Sequence, residues 1–364
     1  MTVRQITADR MADIARGAAI LGAGGGGDPY IGRLLAEQAI LRHGPVTLVD
    51  IDDVADDAVV VPVAMMGAPT VMVEKPPSGE EIHTALRALQ EVLGREITHL
   101  ACIEAGGVNS TIPIVAAAET GLPLLDADGM GRAFPELQMV LPTLAGVSTC
   151  PLVLADEKGN TSLLRTADNR YAERFARSIA VEMGCSAMTA QYILRGSQLR
   201  DALVPGTLTL VERLGRTVRE ARGRRDPVAA AVGVLGGRLL FTGKVVDVVR
   251  RTSGGFAYGT ARLTGTGAYG DSALELEFQN ENLVARLDGR VVAGVPDLIC
   301  VLETDGGEPV TTEGLRYGFR VSVVGAPCDP RWRTAEGLAL AGPGYFGYDH
   351  DYVPVELSAT RGGS

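Results

Sequence analysis

The sequence has little positive charge, and it lacks long apolar runs. Asp and Glu outnumber Lys and Arg by 44 to 34, a formal net charge of −10, which argues against a nucleic-acid partner or an anionic membrane surface. No apolar run has the length of a membrane span, and the N-terminus lacks the apolar core of a signal peptide. We therefore expect a cytoplasmic protein with no membrane partner.

Cysteine and histidine are too few and too scattered to form a disulfide framework or a zinc motif. The five cysteines are odd in number and far apart, and the four histidines show neither His-x₃-His nor His-Glu-x₂-His spacing. A Gly-x-Ser-x-Gly nucleophile elbow is also absent. The sequence leaves open whether the protein binds a metal. Side chains from distant loops could together bind a divalent ion, and Asp126-x-Asp128-Gly129 offers a short carboxylate pair for it.

Apolar residues are abundant, and their pattern changes along the chain. They make up 46% of 364 residues, enough for two globular domains. Over residues 1–165, short apolar runs alternate with amphipathic segments, which predicts an α/β layered domain with a partly parallel sheet. Over residues 166–357 we predict helices at 172–183, continuing toward Leu194, and at 199–222. Many short strands follow, in a strand-rich α+β domain. Residues 358–364 are predicted to be a tail.

A glycine-rich loop at residues 21–27 leads into Asp28-Pro29, which predicts an N-cap and the first turn of a helix. Backbone N–H groups at such a site bind anions. The Gly22-x-Gly24-x-x-Gly27 spacing also fits a dinucleotide fingerprint. That motif needs a strand before it, whereas the amphipathic pattern over 7–20 predicts a helix. We predict ligand binding here, with a tight helix–helix connection as the alternative. The candidate residues are Gly24, Gly25, Gly26, Gly27 and Asp28.

Glycine-containing loops follow three predicted strands, at 65–69, 104–110 and 126–132, and the second and third of these loops carry acidic or amide side chains. Ligands of open α/β sheets bind outside the carboxyl ends of strands, so we expect these loops to form a cleft. The catalytic candidates are the carboxylates Glu104, Asp126 and Asp128, any of which could act as a general base. Asp126 and Asp128 could instead cap turns and helix starts. Asn109 and Arg132 are candidate substrate-binding residues.

The predicted second domain carries a polar run, Gln279-Asn280-Glu281-Asn282, between two strand-like segments. Side-chain amides both donate and accept hydrogen bonds, which suits recognition of a flat, amide-like heterocycle. We therefore predict that Asn280 and Asn282 bind substrate. A polar hairpin turn is the alternative.

Taken together, six segments of the chain resemble the S-methyl thiohydantoin desulfurase-like family. The segments are residues 21–32, 104–110, 126–139, 278–284, 296–300 and 342–349. The resemblance covers nearly the whole chain and implies an α/β N-terminal domain with a separate C-terminal domain. For the enzyme that names the family, it implies hydrolysis of an S-methylated thiohydantoin to a hydantoin and methanethiol. Relatives occur beside, or fused to, hydantoinase/oxoprolinase-type proteins.

The sequence and the resemblance therefore predict a hydrolase of a small cyclic amide-like heterocycle. A carboxylate would activate water, Arg132 would hold a substrate carboxylate, and N–H groups of the glycine loop would stabilise negative charge. Two alternatives stay open: a metal-assisted hydantoin or lactam hydrolase, and a non-catalytic partner of a hydantoinase-type enzyme. We also expect a homo-oligomer.

Overall fold

The computed structural model describes residues 4–67, 71 and 79–358. Residues 68 and 69 of the predicted loop at 65–69, and residues 359–364 of the predicted tail, lie outside the described residues. The helices are α1 (Met11–Leu21), α2 (Pro29–His43), α3 (Glu80–Leu93), α4 (Ile112–Thr120), α5 (Leu141–Leu144), α6 (Asn169–Glu182), α7 (Leu199–Ala202), α8 (Thr207–Ala221), α9 (Pro227–Leu235) and α10 (Ala335–Ala341). None of these helices is long and apolar enough to cross a bilayer.

Strands of the described residues form two sheets. The first sheet contains β1 (Arg4–Ile6), β2 (Val46–Val49), β3 (Val59–Gly67), β4 (His99–Cys102), β5 (Leu124–Asp128), β6 (Leu152–Ala155), β7 (Thr161–Leu164), β8 (Ser186–Ala190), β9 (Leu194–Arg195) and β10 (Val204–Pro205). The second contains β11 (Arg238–Ser253), β12 (Phe256–Gly265), β13 (Ala273–Gln279), β14 (Glu281–Leu287), β15 (Arg290–Gly294), β16 (Leu298–Glu303) and β17 (Arg320–Ala326).

The first sheet has a parallel centre with antiparallel strands on both sides. Its main order is β1-β2-β5-β4-β3-β8-β6-β7, in which β2, β5, β4 and β3 run parallel. Strands β3, β4 and β5 are largely buried and rich in Val, Leu and Ala, as expected for strands covered on both faces. The second sheet is antiparallel throughout, in the order β15-β14-β13-β12-β11-β17-β16. The predicted fold class is confirmed in both parts.

Two helix predictions were wrong in extent. The helix predicted to continue toward Leu194 ends at Glu182, because Gly184 and Cys185 take left-handed φ values of 85° and 63°, and β8 follows. The helix predicted over 199–222 is two helices, α7 and α8. Pro205 has no N–H to continue a helix, and Gly206 is left-handed at φ 75°. The intervening residues form β10 and pair with β5.

Helices α1 and α8 pack closely because glycine lies at their crossing. A Cβ at Gly17 would lie 1.8 Å from the Val211 carbonyl oxygen, and one at Gly215 would lie 1.9 Å from the Asp13 carbonyl oxygen. Either alanine substitution would therefore force the backbones apart. This pairing holds α1 against α8, and it thereby fixes the start of the glycine loop.

The glycine loop connects two helices, as predicted. It follows α1 and ends at Asp28, whose side chain accepts a hydrogen bond from Tyr30 N at 2.8 Å as the N-cap of α2. Pro29 occupies the first helical position. The predicted cap is thus confirmed. Helix α1, and not a strand, leads directly into the glycines, so the loop lacks the context of a dinucleotide fingerprint.

Candidate active site

An open cleft lies where the carboxyl ends of β3, β4 and β5 face the β13–β14 hairpin of the second sheet. It contains about 710 Å³ of empty space, including the part open to solvent. Its polar wall contains Glu104, Asn109, Glu136, Arg177, Thr189, Gln191, Asn280 and Glu281. Its apolar wall includes Met65, Met66, Val108, Met130, Phe134 and Leu137. A small ligand with both polar and apolar parts would fit such a site.

Glu104 lies just beyond the end of β4, where the parallel sheet opens into the cleft. Its side chain is buried, and Asn109 Nδ2 donates a hydrogen bond to Oε1 at 2.7 Å. Asn109 is itself held by the end of β3, since its Oδ1 accepts from Met65 N at 2.8 Å. Burial raises the pKa of Glu104 to about 7, although the bond from Asn109 opposes the rise. The group can therefore exchange a proton near neutral pH.

Glu281 enters the same cleft from the second sheet, at the first position of β14. The residue is only 3% exposed, and its Oε2 has no hydrogen-bond partner among the described residues. Burial raises its pKa well above the ordinary value, and the charge of Glu104 raises it further. Two buried carboxyl groups that repel each other's ionisation favour the state in which one is protonated. The cleft thus combines a carboxylate that can accept a proton with a carboxylic acid that can donate one.

The glycine loop joins the two sheets at this point. Ala23 O accepts from Asn282 N at 2.9 Å, and Gly26 O accepts from Val108 N at 2.7 Å, so one loop bonds to both walls of the cleft. A Cβ at Gly25 would lie 1.9 Å from Glu281 Oε1, and one at Gly26 would lie 2.4 Å from Gly106 Cα. Glycine is required here because both walls approach the loop backbone directly.

The predicted ligand-binding residues of the glycine loop take different positions. Gly26 and Gly27 line the cleft, and neither N–H donates a hydrogen bond within the described part of the chain. Gly24 packs against Asn282, and its carbonyl accepts from Thr312 N at 2.9 Å. The Asp28 carboxylate caps α2. Of the loop residues, Gly26 and Gly27 are thus the ones placed to contact a ligand.

Arg132 is completely buried behind the cleft. Its Nη1 donates to the carbonyl oxygens of Pro296 and Asp297 at 2.7 and 2.8 Å, and its guanidinium lies 4.3 Å from the centre of the Phe134 ring. Burial lowers its pKa below the ordinary arginine value, while the charge of Glu281 opposes that change. Nη2 has no partner among the described residues. In this position Arg132 supplies positive charge beneath the two carboxyl groups. Its predicted contact with a substrate carboxylate stays a prediction.

Asp126 and Asp128 lie at the end of β5 and bind the start of α8. Asp126 Oδ2 accepts from Arg4 Nη1 at 2.7 Å and from Thr209 Oγ1 at 2.6 Å. Asp128 Oδ2 accepts from the N–H groups of Met130 and Gly131, and its Oδ1 accepts from Thr207 Oγ1 at 2.7 Å. Burial raises the pKa of Asp128 to about 6. Both carboxylates thus hold β5 to α8, and their predicted catalytic roles stay predictions.

The predicted amide contacts also fall in two places. Asn280 lines the cleft at the tip of the β13–β14 hairpin with a left-handed φ of 56°, and its Oδ1 accepts from Ala257 N at 2.9 Å. Asn282 is completely buried, and its Nδ2 donates to Ile299 O at 2.9 Å. Asn280 is therefore the turn residue of the β13–β14 hairpin and lies at the cleft, and the predicted contacts of Asn280 and Asn282 with a substrate stay predictions.

One edge of the cleft is formed by the segment after β5 and by α6. Tyr345 OH donates to Glu136 Oε2 at 2.6 Å, so the aromatic C-terminal segment holds this carboxylate in place. Arg177 Nη2 donates to Pro135 O at 3.1 Å and ties α6 to the same segment. Met130 O accepts from Trp332 Nε1 at 2.8 Å. The cleft wall therefore depends on residues from both halves of the chain.

No cysteine or histidine is among the described residues that line this cleft. Burial raises the thiol pKa of Cys102 well above its ordinary value and that of Cys300 to about 12, so neither thiol is activated. Within residues 4–67, 71 and 79–358, no group of three or more His, Cys, Asp or Glu side chains is arranged to hold a metal ion.

Two functional candidates were missed at the sequence level. Glu281 stands between the two predicted asparagines. Successive side chains of a strand point to opposite faces, so a strand predicted to begin at residue 281 would have placed Glu281 and Asn282 on different faces. Gln191 follows β8. Because the sequence pattern predicts a helix over these residues, it does not place Gln191 at the end of a strand.

Family models and a solved structure match nearly the whole chain. Family models described as the S-Me-THD-like N-terminal domain and the S-Me-THD-like C-terminal domain match residues 9–166 and 167–355. The chain is also similar to a crystal structure of a protein from Chromobacterium violaceum, with 25% sequence identity and a TM-score of 0.80. That similarity covers 97% of this chain and 100% of the other. A search of curated proteins finds no significant match.

Proposed function

The chain belongs to the S-methyl thiohydantoin desulfurase-like family, and we propose that it hydrolyses an S-methylated thiohydantoin to a hydantoin and methanethiol. The family description suggests this class of reaction. The observation that carries the proposal is the pair of buried carboxyl groups, Glu104 and Glu281, in one cleft. Glu104 follows β4 of the first sheet, Glu281 begins β14 of the second, and burial raises the pKa of each.

Hydrolysis of a cyclic S-methyl isothiourea needs a base for water and an acid for the ring. Glu104, with a pKa of about 7, is the base that accepts a proton as water attacks the carbon bearing sulfur. Glu281, whose pKa burial raises well above its ordinary value, gives a proton to the ring nitrogen as the C=N double bond becomes a single bond. The N–H groups of Gly26 and Gly27 stabilise negative charge that develops on the ring.

Collapse of the tetrahedral intermediate completes the reaction with both carboxyl groups restored. The C–S bond breaks, and the departing methanethiolate takes the proton that Glu104 accepted from water. The hydroxyl group of the intermediate loses its proton to Glu281 and becomes the new ring carbonyl. In sum, one water and one S-methylated ring give one ring amide and one methanethiol.

The apolar wall suits the methylthio group of such a substrate. Met65, Met66 and Met130 present flexible thioether side chains, and Phe134 adds an aromatic face. Sulfur makes favourable contacts with aromatic rings at about 5 Å, worth about 0.3–1.5 kcal/mol each. This wall therefore supports a substrate with a methylthio group over one with a charged substituent at the same ring position.

The test is an assay of methanethiol and hydantoin formation from an S-methyl thiohydantoin. We expect turnover by the wild type and losses of about 10²–10⁴-fold in Glu104→Gln and Glu281→Gln, since each lacks one proton-transfer group. Glu96→Gln, at an exposed position, controls for the loss of one carboxylate. Full activity in both cleft variants would contradict the assignment, and absence of thiol release by the wild type would contradict the substrate.

Running the assay with and without a chelator also tests the metal-assisted alternative. The homo-oligomer, the hydantoinase-type partner and the cytoplasmic location stay predictions. Copurification of a hydantoinase-type protein, with turnover only in the complex, would instead favour the non-catalytic alternative.

A further inference from the structure

Gln191 lies on the cleft wall without a role in the proton transfers proposed above. It follows the last residue of β8, and its backbone N–H donates to Pro62 O at 3.2 Å, which fixes the main chain beside β3. The side chain is only 2% exposed and lines the same cleft as Glu104 and Glu281.

The side-chain amide of Gln191 lacks the partner that its burial demands. Its Oε1 is buried and has no hydrogen-bond partner among the described residues. A buried polar group without a partner costs about 1–3 kcal/mol, so such groups are rare unless a water or a ligand completes them. The neighbouring Thr189 does not complete it, because its hydroxyl donates to Ala64 O at 3.2 Å.

We propose that the Gln191 amide recognises the ring amide of the substrate and is a specificity-determining residue of this cleft. A ring amide places an N–H beside a C=O. A primary amide presents the complementary acceptor and donor side by side, so the two can form paired hydrogen bonds. The inference rests on the proposed function and narrows its substrate class to rings with a free N–H beside a carbonyl.

This role differs from that of the two carboxyl groups. Glu104 and Glu281 move protons at the carbon that bears sulfur, whereas Gln191 orients the ring by its amide edge. An analogue without the ring N–H leaves the buried glutamine oxygen unpaired, and a site built for a hydrogen bond discriminates strongly against such an analogue. Gln191 should therefore affect binding of the ring more than the chemical step.

The test is calorimetric binding of hydantoin and of 1,3-dimethylhydantoin, which has no ring N–H. We expect the wild type to bind hydantoin at least about tenfold more tightly than the dimethyl compound. Gln191→Met has a similar length and no amide, and it should lose about tenfold or more in hydantoin affinity while its affinity for the dimethyl compound stays within about twofold. The exposed Gln5→Leu serves as the control.

The outcomes separate this inference from the proposed function. If Gln191→Met binds hydantoin like the wild type, or if the wild type binds both compounds equally, the role of Gln191 is overturned while thiol release can still stand. If the wild type binds neither ring, the substrate class and the inference both fail. Should Gln191→Met not fold, as judged by its thermal unfolding, the comparison of the two rings on the wild type decides alone.

Discussion

Glutamine in place of Glu104 is expected to stabilise the folded protein at alkaline pH while it slows turnover by about 10²–10⁴-fold. The substitution keeps the length of the side chain and the Oε1 acceptor, so the 2.7 Å hydrogen bond from Asn109 can persist. What disappears is the ability to ionise inside a buried site. The variant therefore isolates the energetic consequence of the raised pKa from the packing of the cleft.

The size of the expected change in the free energy of unfolding follows from the pKa of Glu104 in the folded and unfolded states. Burial raises the pKa of Glu104 from 4.5 to about 7, so the folded protein keeps this proton over a pH range in which the unfolded chain has released it. Stability of the wild type consequently falls as pH rises through that range. At about 1.4 kcal/mol for each unit of pKa, the loss reaches about 3 kcal/mol above pH 7 and is absent below pH 4.5.

Urea titrations of the wild type and Glu104→Gln, in steps from pH 4.5 to about pH 8, measure this directly. We expect the variant to gain about 3 kcal/mol relative to the wild type over the series, with the rise centred between the two pKa values. Glu96→Gln provides the matched control at an exposed position. A difference between wild type and Glu104→Gln that stays flat with pH, or that falls, would refute the account of this carboxyl group.

Two further predictions concern residues that hold the site. Asn109→Ala removes a hydrogen bond that lowers the pKa of Glu104, so the rise of kcat/KM with pH should move to higher pH. An unmoved profile would show that Asn109 does not tune the base. Asp126→Ala removes the buried carboxylate that accepts from Arg4 Nη1 and from Thr209 Oγ1, and it should reduce the free energy of unfolding in urea by about 1–3 kcal/mol, with hydantoin affinity unchanged. Lost turnover at full stability would instead assign Asp126 a catalytic role.

Much of the fold was predictable because burial and turn chemistry act locally. The run at β3 is a continuous apolar segment, and those at β2 and β4 are largely apolar. Asp28-Pro29 combines an N-cap residue with a proline suited to the first helical position. The helix predicted toward Leu194 failed because Ser186–Ala190 has no strong strand preference. Its pairing with β3 and β6 decides its conformation, and such pairing is not visible in a single segment.

The candidate site was predictable only in part, for a similar reason. Glu104 and Asn109 follow a strand of the parallel sheet, so their position could be derived from one domain. Glu281 and Gln191 reach the cleft through contacts between elements that are far apart in the sequence. The glycine loop, from yet another part of the chain, forms hydrogen bonds to both walls of the cleft. Asp126 and Asp128 resemble catalytic carboxylates in sequence, and the sequence does not show that each accepts hydrogen bonds from α8 as well as from Arg4 or from the turn after β5.

The central claim is that Glu104 activates water for attack on the ring carbon. A single turnover in ¹⁸O-labelled water, with enzyme in excess over an S-methyl thiohydantoin, tests it most directly by mass spectrometry of the hydantoin product. The account predicts one heavy oxygen in the new ring carbonyl during the first turnover, because that oxygen comes from solvent. Unlabelled product accompanied by methanethiol release would contradict it, since the oxygen would then have come from a carboxylate of the protein acting as a nucleophile.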